Sequence, residues 1–328
     1  MHSWAIRVAV LPDELFSTWL ARAALAQGCD PMYLTGWLWP RWRAWTVDLD
    51  RGLSPDRLAT LAARSGLTAA RLEAATLRPL LTAVAPGTRP QQAVWPWVLS
   101  QGSRNRRRYG GLQCCPSCLS EDQTPYFRRT WRLAWHIGCT RHGTLLADHC
   151  GRCQAPVEPH RVRAGDGTLC RCPSCGHDLR GTNTATACTD ALAFQVAADE
   201  VLVTGQGIWS TAKVDCETWF GLAAKHAGGR IRGQREDATL VCLTKLSLNL
   251  QRPSERVLRL RMAYRDMSGE PRGEMLHGQR RTIASCGAVV PDFGLQHGQQ
   301  RQFARARPQA TVQGEWVRLL RRMRVGHP

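Results

Sequence analysis

Lysine is almost missing from these 328 residues. Lys213, Lys225 and Lys245 are the only three among 44 basic residues, so 41 are arginine. Long apolar runs are missing too. No stretch of about 18 apolar residues occurs, which excludes a transmembrane helix. The opening Met1-His2-Ser3-Trp4 lacks the charged-then-apolar pattern of a secretory signal, so a cytoplasmic setting with no membrane partner is expected. Enzyme signatures are also wanting. There is no Gly-x-x-x-x-Gly-Lys-Ser/Thr loop for nucleotide phosphates, no His-Glu-x-x-His and no Gly-x-Ser-x-Gly. Cys-Pro-Ser-Cys occurs twice, but no His-x-Glu accompanies it, so the zinc-deaminase pattern is incomplete. Carboxylates are too few and scattered to nominate a two-metal nuclease site. No solenoid-type repeat is found.

What is present is charge, tryptophan and cysteine. The net charge is +18 and the pI about 10.0. Arginine in place of lysine, alongside abundant Ala, Gly and Pro, fits a GC-rich genome. The net charge itself still points to nucleic acid or an acidic protein face. The charge is unevenly placed, at +3 over residues 1–100, +6 over 101–190, zero over 191–250 and +9 over 251–328. A hydrophobic content of 43% argues for a folded chain.

Ten of the 14 cysteines fall between residues 101 and 190. In a reducing compartment they suit metal better than disulfides. Cys115-Pro-Ser-Cys118 is followed by Cys139-Thr-Arg-His142, and Cys150-Gly-Arg-Cys153 by Cys172-Pro-Ser-Cys175. A Cys-x-x-Cys turn aims two sulfurs at one point, and two such half-sites complete a zinc tetrahedron. Two structural Zn2+ ions per chain are expected, with four protein ligands each and no position left open for chemistry. Iron–sulfur ligation is the competing use of such sulfurs. Cys114 beside Cys115 and Cys170 near Cys172 are alternative ligands. Cys29, Cys188, Cys216, Cys242 and Cys286 read as isolated core or surface thiols.

Helical patterns are expected over 12–27, with Asp13 as cap, and over 54–65, 68–78, 189–203, 213–226, 254–265 and 314–325. Leu58 to Leu72 resembles a helix-turn-helix. Ala62 is small where helices cross, Gly66 sits at the turn, and Leu61, Leu67 and Leu72 supply a shared core. The second helix would expose Arg71 and Arg78, but it is short of base-reading Asn and Gln, so packing or protein docking suits it better than base readout. Trp37, Trp39, Trp42 and Trp45 around Pro40 read as an aromatic mini-core, with an interface anchor as the alternative. Arg104, Arg106, Arg107 and Arg108 precede the first half-site and read either as a solvated linker or as phosphate contacts. Arg128, Arg129 and Arg132 are further candidates for nucleic-acid or partner contact, and Trp131 and Trp135 for covering the first metal site.

The expected fold is mainly α with small zinc-finger modules. An N-terminal helical domain over 1–90 contains the helix-turn-helix at about 54–78. A basic linker follows over 91–108, then a tandem zinc-finger region over 109–187, a C-terminal helical region over 188–267 and a basic, partly disordered tail over 268–328.

Several motifs in order resemble the TniQ/TnsD family of transposition proteins. These are Leu11-Pro-Asp-Glu-Leu-Phe-Ser-Thr-Trp-Leu-Ala-Arg22, the helix-turn-helix stretch, Cys115-Pro-Ser-Cys-Leu-x-Glu-Asp122, Tyr126-Phe-Arg-Arg-x-Trp-Arg-Leu133 and Cys139-x-x-His-Gly-x-x-Leu146, with the second cysteine set behind them. The resemblance covers about residues 10–180. It implies a non-catalytic adaptor that chooses a DNA insertion site and recruits an AAA+ ATPase, which engages a DDE transposase. The target DNA is met directly or through a CRISPR RNA-guided complex, and some members form homodimers. A stand-alone zinc-containing transcription regulator and a zinc or iron–sulfur enzyme are the competing classes.

Overall fold

A computed structural model describes residues 3–89, 95–101, 112–228 and 253–269. The described residues are mainly helical. The helices are α1 (Phe16–Ala26), α2 (Pro31–Leu38), α3 (Pro55–Ser65), α4 (Ala69–Ala74), α5 (Arg78–Val84), α6 (Pro116–Glu121), α7 (Thr189–Thr204), α8 (Cys216–Gly228) and α9 (Pro253–Ser268). Two short antiparallel pairs complete it, β1 (Gly138–Cys139) with β2 (Thr144–Leu145) and β3 (Gln206–Trp209) with β4 (Ala212–Asp215). Residues 1–287 cluster as one compact unit. The residues beyond it, with the expected helix over 314–325, lie outside the described residues, as do Cys242 and Cys286.

α1 begins later than its sequence pattern suggests, because the residues ahead of it are engaged elsewhere. Asp13 takes a left-handed φ of 53° and turns its carboxylate to Arg129 and Thr130 rather than capping the helix. Glu14 is buried and accepts both Nε and a terminal nitrogen of Arg22, at 2.8 and 2.7 Å. Ser17 bonds Asp50, and the Trp19 indole N–H donates to the Val8 carbonyl. The Leu11–Arg22 motif is therefore a set of structural locks, satisfying the polar groups that its apolar face drags inward.

α3 starts on Ser54-Pro55 as the sequence suggests, although the Ser54 side chain makes no cap bond. It ends where Gly66 adopts φ 73°, the left-handed geometry glycine enters without a Cβ penalty. α4 follows, capped by Thr68, whose oxygen accepts from Arg71 N. Leu61 and Leu72 are buried between the two and Leu67 half-buried. α4 is only six residues long, and the expected 68–78 helix divides into α4 and α5. α2 carries no strong sequence signal. Its apolar residues lie all round, and Pro31 at its first position starts it.

Part of the stretch read as a basic linker belongs to the core. Trp95, Trp97, Val98 and Leu99 are buried, Leu99 N donates to Arg132 O and Ala134 N to Trp97 O. The C-terminal helices pack on the same core. Phe220 of α8 meets Trp135 at 4.8 Å and Trp97 at 5.6 Å. The expected 213–226 helix starts three residues later, because 212–215 pairs with β3 through a turn with Ser210 at φ 55°. Alternating burial is weak in so short a hairpin, which is why helical periodicity misreads it.

Candidate metal centres and the arginines around them

The two Cys/His sets converge as their spacing requires. Cys115, Cys118, Cys139 and His142 form one group and Cys150, Cys153, Cys172 and Cys175 the other, with all ligand atoms of a group within 4.8 Å of one another. In the first, Cys115 is the N-cap of α6 and its Sγ accepts from Cys118 N. The β1–β2 hairpin, turned at Gly143 with φ 64°, presents Cys139 and His142. In the second, Gln154 N closes on Cys150 O and Gly176 N on Cys172 O, so each Cys-x-x-Cys curls back on itself.

The distances fit zinc. Tetrahedral bonds of about 2.3 Å to sulfur place sulfurs about 3.8 Å apart. Cys118–Cys139 is 3.6 Å, Cys153–Cys172 3.6 Å and Cys150–Cys175 3.7 Å, all far beyond a disulfide bond. His142 Nδ1 lies 3.3 to 3.4 Å from the Cys115, Cys118 and Cys139 sulfurs. Either group could hold one zinc ion. Cys114 and Cys170 stay outside both sets. Cys114 is fully buried, and burial pushes its thiol well above the usual range, which disfavours the thiolate a metal needs.

Hydrogen bonds from the Cys115 and Cys118 thiols hold Cys139 far below the usual thiol range, while hydrogen bonds to Cys115 and Cys139, and burial, push Cys118 up. The His177 backbone N–H pulls the Cys175 thiol down to about 7. His142 turns its other nitrogen, Nε2, to Glu121 Oε1 at 3.0 Å, and Glu121 also pairs with Arg141 at 2.7 Å. Such a carboxylate fixes the ring tautomer and strengthens the ligand. Glu121 was missed as a functional residue. The available signal was its place one helical turn after Cys118 on α6.

The structure places the candidate contact arginines differently from their sequence reading. Arg132 is fully buried and offers no surface to a partner. It pairs with Asp48 and Asp50, each at 2.7 Å, and donates to Leu99 O. Burial pushes Asp50 up to about 6 despite that arginine. Arg128 grips Asp122 at 2.7 and 3.0 Å and stacks on Tyr126 and Trp131. Arg129 holds Asp13 and the Ala74 carbonyl. Arg71 donates to Val10 O, and Arg78 pairs with Glu73. Arg104, Arg106, Arg107 and Arg108 lie outside the described residues. Trp131 packs on Phe127, and Trp135 on Trp97 and Phe220 with its N–H on Asp199. Both tryptophans thus serve the central core.

The model of the TniQ family matches residues 5–146. The chain carries a TniQ domain over that stretch. The match takes in the N-terminal helices and the whole first ligand set, and it ends before Cys150, so the second set lies outside it. Among curated proteins, none matches the chain. The TniQ domain ties the chain to target selection in transposition. Among the described residues, no helix is long and apolar enough to cross a membrane.

Proposed function

We propose that this chain is a non-catalytic adaptor for target-site selection in a multi-protein DNA transposition system. It recruits an AAA+ ATPase, and through it the transposase, to target DNA. The observation that carries the proposal is the TniQ domain over residues 5–146, coincident with one interlocked body of helices and a four-ligand metal site. Each set supplies four protein ligands, and a zinc ion so held has no open position for substrate. Zinc here is a fold-maker, two ions per chain, and the helix-turn-helix of α3 and α4 is a presenting platform. Target DNA is met directly or through a CRISPR RNA-guided complex, by one chain or a homodimer. A stand-alone transcription regulator is the weaker reading, because α4 is short and Arg71 and Arg78 are held internally.

The test is retention of the system's own AAA+ ATPase on immobilised target DNA, with and without this chain, and with and without the guide complex. Retention that requires the chain is expected. ATPase loading that is equal in its absence would sink the adaptor role.

A further inference from the structure

α2 is apolar all round, yet only one side of it is covered. Pro31, Leu34, Thr35 and Leu38 are buried, with Leu34 and Leu38 in the N-terminal core. The other side leaves Met32 60% and Tyr33 43% exposed, with Gly36 exposed one turn further on and Trp37 half-buried beside it. Ile6, 50% exposed, lies near the start of α2, since its N–H and its carbonyl both bond the Gln27 side chain. A helix that is hydrophobic on every side is normally buried, and contiguous exposed apolar side chains mark an interaction site.

Gly36 points the same way independently. It sits inside a helix, where glycine is the least favourable residue short of proline. A Cβ there would meet nothing within 4 Å, so no packing inside the chain asks for glycine. A bare spot on an exposed helix face lets another backbone come close. Arginine borders the face. Arg7 follows Ile6, and Arg41 and Arg43 follow α2. All three are exposed, and among the described residues none has an ion-pair partner. We propose that Ile6, Met32, Tyr33, Gly36 and Trp37 dock an amphipathic helix of a partner protein, whose apolar stripe is flanked by carboxylates that meet Arg7, Arg41 and Arg43. The assignment rests on the adaptor role for there being a protein partner, and goes beyond it in naming the surface and the partner's chemistry.

Charge and chemistry select this occupant over three others. Ile6, Met32 and Gly36 offer phosphate oxygens no side-chain donor, so the centre of the face suits a protein better than duplex DNA. The chain's own basic segment over 314–325 carries four arginines and one glutamate, and would set arginine against arginine. A second copy is also a poor match. The exposed face of α7, with Val196 and Val203, carries a single carboxylate, Glu200, against three arginines.

The experiment uses the full chain and a fluorescent peptide of about 16 residues, long enough to hold a helix, with a leucine stripe and glutamate on both flanks. Binding is followed by anisotropy. The lysine-flanked counterpart should bind at least about tenfold more weakly. Gly36→Leu should weaken the glutamate peptide by at least about tenfold, while the melting temperature stays at or above that of the wild type, because leucine is the better helix former and meets nothing within the chain. Met32→Glu should weaken it as much, and Val203→Glu, exposed on α7, should leave it unchanged. No binding by the wild type, or equal binding by Gly36→Leu, overturns the α2 assignment, while the ATPase-retention assay reports on the adaptor role separately. Equal binding of the lysine-flanked peptide overturns the acidic partner. A chain that is dimeric alone and monomeric as Gly36→Leu overturns the assignment in favour of a second copy. Loss of duplex DNA affinity in Gly36→Leu overturns it in favour of nucleic acid.

Discussion

Glu121 and Arg132 show how single side chains hold the two halves of the TniQ domain in order. Glu121 fixes the His142 ring from the far side of the metal ligand set. Glu121→Ala should weaken zinc at the first site by about 10- to 100-fold, measured by competition with a chromophoric chelator. Unchanged affinity would mean that the pair is incidental. Arg132→Ala leaves the buried Asp50 and the half-buried Asp48 without their shared cation and should destabilise the fold by about 3–5 kcal/mol in denaturant titration. Asp50→Asn should be milder, because burial already pushes that carboxyl up to about 6 and the Ser17 contacts can survive. Equal losses for the two variants would contradict this. At this scale the sequence was legible wherever a spacing rule operates. Cys-x-x-Cys and Cys-x-x-His name their own ligands, because two or three residues fix the turn. Arg132 carried no such rule. Its partners lie more than eighty residues upstream, so an arginine in a basic motif reads as a surface charge until the fold shows it buried.

At the scale of elements, the ligand sets lie where regular structure is sparse. The segment from Cys114 to Cys188 has one short α-helix, four single-turn 3-10 helices and one two-residue hairpin, and its backbone turns around the sulfur clusters while Phe127, Trp131 and Trp135 join the central core. Metal analysis should give two zinc ions per chain. One or none in a folded protein would refute both assignments. Cys118→Ala or Cys172→Ala should each remove one ion and unfold the region around it, because binding free energy is part of folding free energy. Melting of both variants at the wild-type temperature would contradict this. The sites differ in shelter: Cys115, Cys118 and Cys139 are buried, whereas Cys153 is exposed and Cys175 half-buried. A chelator should therefore strip zinc from the wild type in two phases, and the ion left in Cys118→Ala should be lost faster than the ion left in Cys172→Ala. A single phase would count against the difference. Element existence was readable from caps and periodicity for α1, α3, α7 and α9. Boundaries were readable for α3 and α7 but not for α1 and α8, because Asp13 and the β3–β4 turn are set by distant partners rather than by neighbours in sequence.

At the scale of the whole molecule, the sequence divides more cleanly than the structure. Charge and composition suggest a helical domain, a linker and a metal-bound region. In the structure, Leu15 N bonds Phe127 O, Arg129 N bonds Asp13 O, and the second metal loop stacks His160 on Trp45 at 5.0 Å. α9 closes the far side through Arg256, which is fully buried and donates to the Ala134 and His136 carbonyls and to Gln113. Arg256→Ala should lower the melting temperature of the central region even though the residue lies more than eighty positions from either ligand set. An unchanged melt would make α9 an appendage. None of these joins was visible beforehand, since each is a long-range pairing between residues that are individually ordinary.

The Asp50–Arg132 pair has a consequence for how the protein is made. A ribosome adds roughly 5–20 residues each second. The stretch between those two partners therefore takes about 4–16 s to synthesise. Through that interval the first helices emerge with the Asp50 carboxylate destined for burial and without the cation that meets it in the finished fold. The N-terminal body thus reaches its native state after its own synthesis is complete, when the later segment arrives. A nascent chain halted before Arg132 clears the exit tunnel remains a substrate for chaperones and proteases, and one halted well after it does not.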